Sequence, residues 1–302
     1  MAQWQARRVV ALLEENHPHI HCEIVVVSTR GDRDRKTPLH MTGGVGVFVK
    51  ELELALLSRE IDLAVHSLKD MPSQVPPGLA LSAVPRRGDP RDALVSKSGA
   101  HLADLPAHGR VGTGSPRRKA ELLALRPDLV IVGIRGNVET RLRKLQDKHY
   151  DAVVLAAAGL VRLGRDSVIT QVLPPETMLP AAGQGALGVE TRADDARIRA
   201  LVAPVNHRAS WAAVMAERAF MARLGAGCHV PAAAYAIVDR GDVWLRGLVA
   251  SHDGKAVIRG HEKGPTDDPV ALGTEVADSL LRQGAGAFVQ ESETSLETSS
   301  RT

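Results

Sequence analysis

Six short stretches carry side chains able to act together on a ligand. In Ile61-Asp62-Leu63-Ala64-Val65-His66-Ser67-Leu68-Lys69-Asp70-Met71-Pro72 a short apolar strand runs into an imidazole, a hydroxyl, an ammonium and a carboxylate. Ser67 is placed as a helix N-cap, and Met71-Pro72 stops any helix soon after. Ligands of open α/β sheets bind outside the carboxyl ends of strands, where this cluster would lie. Taken alone, Lys69 and Asp70 read as a solvated pair on a surface turn. The other stretches change that balance. Gly112-Thr113-Gly114-Ser115-Pro116-Arg117-Arg118 ends a strand and opens a helix, with Ser115 as N-cap and Pro116 as first helical residue. Free backbone N–H groups and two guanidinium groups then face one anion site. Arg135-Gly136-Asn137 with Arg141, and Ala158-Gly159-Leu160-Val161-Arg162, repeat the device at two more strand ends. Gly183-Gln184-Gly185-Ala186 and Gly225-Ala226-Gly227-Cys228 add a polar amide and a thiol in glycine loops. A lone cysteine is commonly a buried apolar residue, although flanking glycines leave this one accessible.

Composition narrows the partner. The 302 residues carry a net charge of only +3, yet Arg outnumbers Lys among the 38 basic residues, and guanidinium groups take carboxylates or phosphates bidentately. A small anionic molecule fits. Aromatic residues make up 3% of the chain, too few for base-stacking platforms, so no nucleic-acid partner is expected. Two cysteines, Cys22 and Cys228, make neither a disulfide framework nor a zinc site. No metal is expected, and a reducing cytoplasmic setting fits. No stretch is long and apolar enough for a signal-peptide core or a membrane span.

The elements that must position these groups follow from periodicity. Residues 1–16 read as an amphipathic helix, 24–28 as a strand, and 47–58 as a helix after Gly43, Gly44 and Gly46. Residues 72–92, with Pro72, Pro76, Pro77, Pro85 and Pro90, look like a crossover. Strands at 110–111, 129–134 and 151–156 alternate with helices. A faint repeat supports two related lobes: Gly46 leads through a helix to Ile61–Val65, and Gly136 leads to Tyr150–Val154. Residues 208–224 form an Ala-rich helix capped at Gly225. Strands at 233–238, 243–250 and 256–260 are joined by turns at Asp239-Arg240-Gly241 and His252-Asp253-Gly254. A last helix spans 269–283. The Ser- and Thr-rich end is expected to be disordered.

In the same order and spacing, the stretches at 66–70, 112–118, 135–137 with Arg141, 183–186 and 225–228 resemble the porphobilinogen deaminase family, also called hydroxymethylbilane synthases. The resemblance covers nearly the whole chain. It implies a transferase of tetrapyrrole (heme) synthesis that joins four porphobilinogen molecules head to tail with loss of ammonia and hydrolyses off hydroxymethylbilane. It implies a dipyrromethane cofactor held by a thioether to Cys228, and Asp70 as the catalytic residue. By resemblance Ser67, Lys69, Thr113, Ser115, Arg117, Arg118, Arg141, Asp32 and Gln184 hold the cofactor. Arg135, Gly136, Asn137, Arg141 and Arg162 take the incoming substrate, with Gln5 and Phe48 as lesser candidates.

The expected fold is α/β: two periplasmic-binding-protein-like lobes with mixed sheets around a cleft, plus a C-terminal α+β domain with a three-stranded antiparallel sheet. The expected boundaries are 1–85 with 186–205, 86–185 and 206–290, followed by a disordered tail, 291–302. A monomer is expected. Relatives open with a strand ending in Arg and Ser ahead of the helix that begins here near Met1, so the chain is expected to be an N-terminally truncated, less active reading of a longer product. The alternative from another class is a two-lobed anion-binding protein without catalysis, against which an accessible thiol in a cleft speaks.

Overall fold

The computed structural model describes residues 1–27, 49–147, 149–227 and 229–300, with the side chains of 293–300 left aside. Three sheets organise these residues. The first has the order β1 (Leu63–Ser67), β8 (Leu187–Arg192), β2 (Leu79–Ala83). β8 is antiparallel to both neighbours, so the outer strands run parallel to each other. The late segment β8 thus lies between β1 and β2, two strands of the early chain. All six residues of β8 are buried. Helix α1 (Ala2–Asn16) covers this sheet with Val9 and Leu13, alongside Val189 and α6 (Ala196–Val202), and α2 (Lys50–Leu57) packs Leu56 against Ala64 and Leu79.

The second sheet is mixed: β5 (Val130–Val132), β4 (Arg110–Gly112), β6 (Ala152–Ala156), β3 (Asp92–Ser96), β7 (Gln171–Leu173), with β4 parallel to β5 and β6 and β3 antiparallel to β6 and β7. Both faces are covered, which is why β3 and β6 read as continuous apolar runs. Leu94, Val111 and Val154 enter one core with Leu122 of α3 (Pro116–Leu125). Ala93, Val95, Val153 and Leu155 enter the other, with Leu145 of α4 (Val138–Leu145) and Leu160 of α5 (Ala157–Arg162). Ser115 and Asn137 cap α3 and α4, accepting the N–H groups of Arg118 and Thr140.

The C-terminal unit is an antiparallel sheet of β9 (Ala232–Asp239), β10 (Asp242–Ala250) and β11 (Val257–Pro265) packed on α7 (Arg208–Leu224) and α8 (Pro269–Arg282). Phe220, Leu245, Val276 and Leu280 centre its core. α7 ends at Gly225, whose φ of 65° is the left-handed cap that the glycine predicts.

Three expectations are corrected. Residues 24–27 form no strand: Val25 and Val26 are 53% and 72% exposed, and among the described residues no strand pairs with them. β-branched residues make a strand only where a ladder and a face to bury are supplied. The helix expected over 47–58 spans Lys50–Leu57, its first two residues lying outside the described ones. The expected disordered tail is instead helical in α9 (Ala285–Ser300). Val289 and Ser292 are buried there, and Ser292 Oγ, 2.8 Å from His252 Nε2, donates to the Phe288 carbonyl. Such anchoring outweighs a polar composition.

Candidate active site

β1 delivers its polar cluster as a single 3-10 turn, Leu68–Asp70, closed by the Met71 N–H on the Leu68 carbonyl at 3.3 Å. The expected Ser67 cap is absent; its side chain makes no bond to the turn. Leu68 is the anchor, buried with Met71, Val84, Ala186 and Val214, and this turns Lys69 half out and leaves Asp70 exposed. The glycine loop is pressed onto the turn. Leu68 N–H donates to Ala186 O at 3.2 Å. Gly183 sits at φ +70°, where a Cβ would lie 2.9 Å from the Leu68 carbonyl carbon; only glycine fits.

Around this turn the predicted cations converge. Burial pulls the Lys69 ammonium below its ordinary range; the carboxylates of Asp70 and Asp92 oppose this, and Arg118 and Arg141 reinforce it. Burial likewise pulls Arg141 down, with Arg118 and Arg135 adding to the effect and Asp70 resisting it. The ends of β1, β4 and β5 therefore meet in one electrostatic cluster. Arg141 folds back so that its Nε donates to Gly136 O at 2.7 Å. Arg162, at the end of α5, donates to Gly185 O at 2.7 Å and lies under the Trp4 ring, 5.5 Å from its centroid. Burial alone pulls its pKa down. Neither Arg141 nor Arg162 has a carboxylate within ion-pair distance among the described residues. Partly buried guanidinium groups of this kind can take an anion.

Arg117 and Arg118, expected to hold the cofactor, each pair with a buried acid. Both are buried against Asp92, which is fully inaccessible. Arg117 Nη2 and Arg118 Nη2 each lie 2.7 Å from an Asp92 oxygen, and Gln184 Nε2 donates to Asp92 at 2.9 Å. Burial opposes ionisation of Asp92, but the two guanidinium groups and these hydrogen bonds win and hold it well below the usual carboxylate range. Arg117 also binds Glu121 Oε1 at 2.9 Å and Leu179 O at 2.7 Å; Glu121 is pushed up to about 7, chiefly by burial. Asp92 and Glu121 are site-shaping residues that motif reading missed. The available signal was an acid heading an apolar strand, which must find a buried cationic partner.

The remaining candidates have distinct places. Thr113 is buried and its hydroxyl accepts the Ser115 N–H at 3.2 Å. The Asn137 side chain is occupied as a helix cap, Gly136 takes a φ of +111°, and Gln5 is buried inside α1. Asp32, Phe48 and Cys228 lie outside the described residues, as does the loop holding Gly43, Gly44 and Gly46. The C-terminal unit reaches the site through Glu217 of α7, another residue not foreseen. Its buried carboxylate accepts from Arg87 Nη1 at 2.6 Å, Gly183 N at 2.7 Å and Ala236 N at 2.7 Å. One side chain thereby ties the crossover, the glycine loop and β9 together.

Comparison with known proteins agrees with these motifs. Residues 1–200 match the family model described as porphobilinogen deaminase, dipyromethane cofactor binding domain, and residues 211–282 match porphobilinogen deaminase, C-terminal domain. A porphobilinogen deaminase of Roseiflexus sp. (strain RS-1) is 49% identical over 289 residues, 96% of this chain and 95% of that protein. Among solved structures, an ancestral cationic amino acid solute binding protein aligns with a TM-score of 0.38 at 17% identity over 67% of this chain and 77% of its own. The VFT2 domain of Bordetella pertussis BvgS aligns at 0.36 and 19%, over 66% and 76%. The chain belongs to the porphobilinogen deaminase family. It is a transferase of tetrapyrrole synthesis built around a dipyrromethane cofactor, and its activity is that of a hydroxymethylbilane synthase. Among the described residues no helix is long and apolar enough to cross a membrane.

Proposed function

We propose that Asp70 is the catalytic residue of this hydroxymethylbilane synthase and that Cys228 carries the dipyrromethane as a thioether. The observation that supports this is the exposed Asp70 carboxylate at the tip of the turn, with Lys69 and Arg141 as charged neighbours. Loss of ammonia from an aminomethylpyrrole leaves a cation delocalised onto the ring nitrogen. A carboxylate accepting that N–H stabilises it; at ~4 Å and an effective dielectric near 20 the interaction amounts to roughly 4 kcal/mol. The donor set fits a cofactor and substrates that carry acetate and propionate groups, because Lys69, Arg141 and Arg162 are partly buried cations and the two arginines lack a carboxylate partner among the described residues. When bound, the dipyrromethane supplies the primer end on which the chain grows. Arg135, Arg141 and Arg162 orient the acidic side chains of the incoming porphobilinogen. Arg117 and Arg118 act from behind, keeping Asp92 ionised and fixing the floor of the site.

The same reading assigns residues 1–85 with 186–205 and 86–185 to the two α/β lobes and 206–290 to the thiol-bearing domain, in a monomer working in the cytoplasm. An intact-mass spectrum of protein purified from porphobilinogen-producing cells tests the attachment: an adduct of two pyrrole rings is expected, lost on Cys228→Ser, and a bare polypeptide mass overturns it. Asp70→Asn keeps size and hydrogen bonding, so turnover should fall by orders of magnitude with melting unchanged; near-normal turnover removes Asp70 from the chemistry.

A further inference from the structure

Arg218 makes bonds for which the scheme above has no use. It lies on α7, the helix that leads to Cys228, and only 5% of it is exposed. Its Nη2 donates to Pro72 O at 2.7 Å and Ser73 O at 3.0 Å, the first carbonyls after the Leu68–Met71 turn. On the entry side of the turn, His66 Nε2 lies 2.9 Å from Glu190 Oε2, with both residues buried. Glu190 is also the charge that resists the fall of the Arg218 pKa, which burial brings to about 10. Glu190 Oε1 and Arg218 Nη1 have no hydrogen-bond partner among the described residues. The entry and the exit of the Asp70 turn are thus held by one buried series of charged and imidazole groups, His66, Glu190 and Arg218, and its last member comes from the thiol-bearing unit.

Burying a guanidinium to reach two neutral carbonyls is a poor way to gain stability, since an apolar side chain of similar size packs without the desolvation cost. Val75, Leu81, Trp211 and Met215 provide apolar surroundings for such a side chain. What Arg218 offers and a methionine does not is a directional clamp. We infer that Arg218 is a positioning residue: by gripping the Pro72 and Ser73 carbonyls it sets where Asp70 stands relative to the loop that carries the thiol. The inference rests on the reading of Asp70 as the cation-stabilising group. Substrate capture is assigned to Arg135, Arg141 and Arg162 on the other sheet, so losing the clamp should alter kcat and spare KM.

The test uses the purified holoenzyme in three variants, Arg218→Gln, Arg218→Lys and Asp70→Asn, with steady-state porphobilinogen consumption and melting measured on each. A misplacement on the ångström scale costs about 10–100-fold in rate. Arg218→Gln should lose that much kcat with KM changed less than about 2-fold, and Arg218→Lys, which keeps the charge but not the planar Nη2 that reaches both carbonyls, should recover part of it. Wild-type kcat per folded molecule in either variant overturns the inference, as does a rise in KM that accounts for the whole loss. Should the Gln variant fail to fold, the Lys variant decides by the same criteria. Wild-type turnover in Asp70→Asn would sink the underlying reading instead, which separates the two failures.

Discussion

Replacing Asp92 by Asn removes the only negative charge paired with Arg118 and one of two paired with Arg117 among the described residues. Four hydrogen bonds of 2.7–3.0 Å converge on that carboxylate from Arg117, Arg118 and Gln184. An amide offers one oxygen to these donors and turns its own N–H groups toward the rest. Both guanidinium groups would stay buried, with Glu121 as the remaining counter-charge. Breaking a buried pair by deleting one partner costs about 3–5 kcal/mol, a large share of a total stability of roughly 5–15 kcal/mol. At about 2–4 °C per kcal/mol the melting temperature should drop by roughly 6–20 °C. Calorimetry on the wild type, Asp92→Asn, Arg118→Met and the double variant checks the cause as well as the size. The double variant should lose less than the sum of the singles by at least ~1 kcal/mol, since Arg118 is harmful only when its partner is gone. A melt within about 2 °C of wild type, or strictly additive losses, would show that the two arginines do not depend on Asp92.

Gly183→Ala puts a Cβ 2.9 Å from the Leu68 carbonyl carbon at a positive φ, so it should cost about 1–3 kcal/mol and lower kcat by shifting the turn; unchanged melting and turnover would refute the close-contact argument. Trp4→Ala removes the ring over Arg162, a contact of about 0.5–1 kcal/mol, so KM for porphobilinogen should rise roughly 2–5-fold with kcat unchanged. Stability against pH carries two opposite signs. Asp92 is held ionised in the folded state, so its contribution is present above the unfolded carboxylate range and is lost as pH falls through and below it. Glu121 is pushed up to about 7, so the folded state takes up a proton earlier than the unfolded one and stability rises as pH falls from about 7 toward 4.5. Urea midpoints should therefore be higher near pH 5.5 than at pH 8, and Glu121→Gln should flatten that slope; a slope unchanged by Glu121→Gln assigns it elsewhere.

Local chemistry was legible without coordinates wherever it is local. The αL cap at Gly225, the Ser115-Pro116 and Asn137 helix starts, and the apolar run of β6 follow from backbone rules acting over a few residues, whereas β3, an equally apolar run, went unread behind the crossover. The delivery of Arg118, Arg135 and Arg141 to one edge also follows, because β4 and β5 are parallel and present their carboxyl ends together; that Lys69, from the other sheet, joins them is a tertiary result. Pairing across the chain was not legible. Nothing near Arg117 or Arg118 in sequence says that Asp92 neutralises them, nor that Glu217 reaches Arg87, Gly183 and Ala236 at once. The β-branched run at 24–27 reads as a strand but stands exposed, with no pairing strand among the described residues, and the Ser- and Thr-rich end reads as disordered until Val289 and Ser292 find a core. The residue types along the chain determine which groups are available for chemistry. Which of them stay free for a ligand is a property of the folded interior, where Arg117 and Arg118 meet the buried Asp92 while Arg141 and Arg162 meet only backbone carbonyls among the described residues.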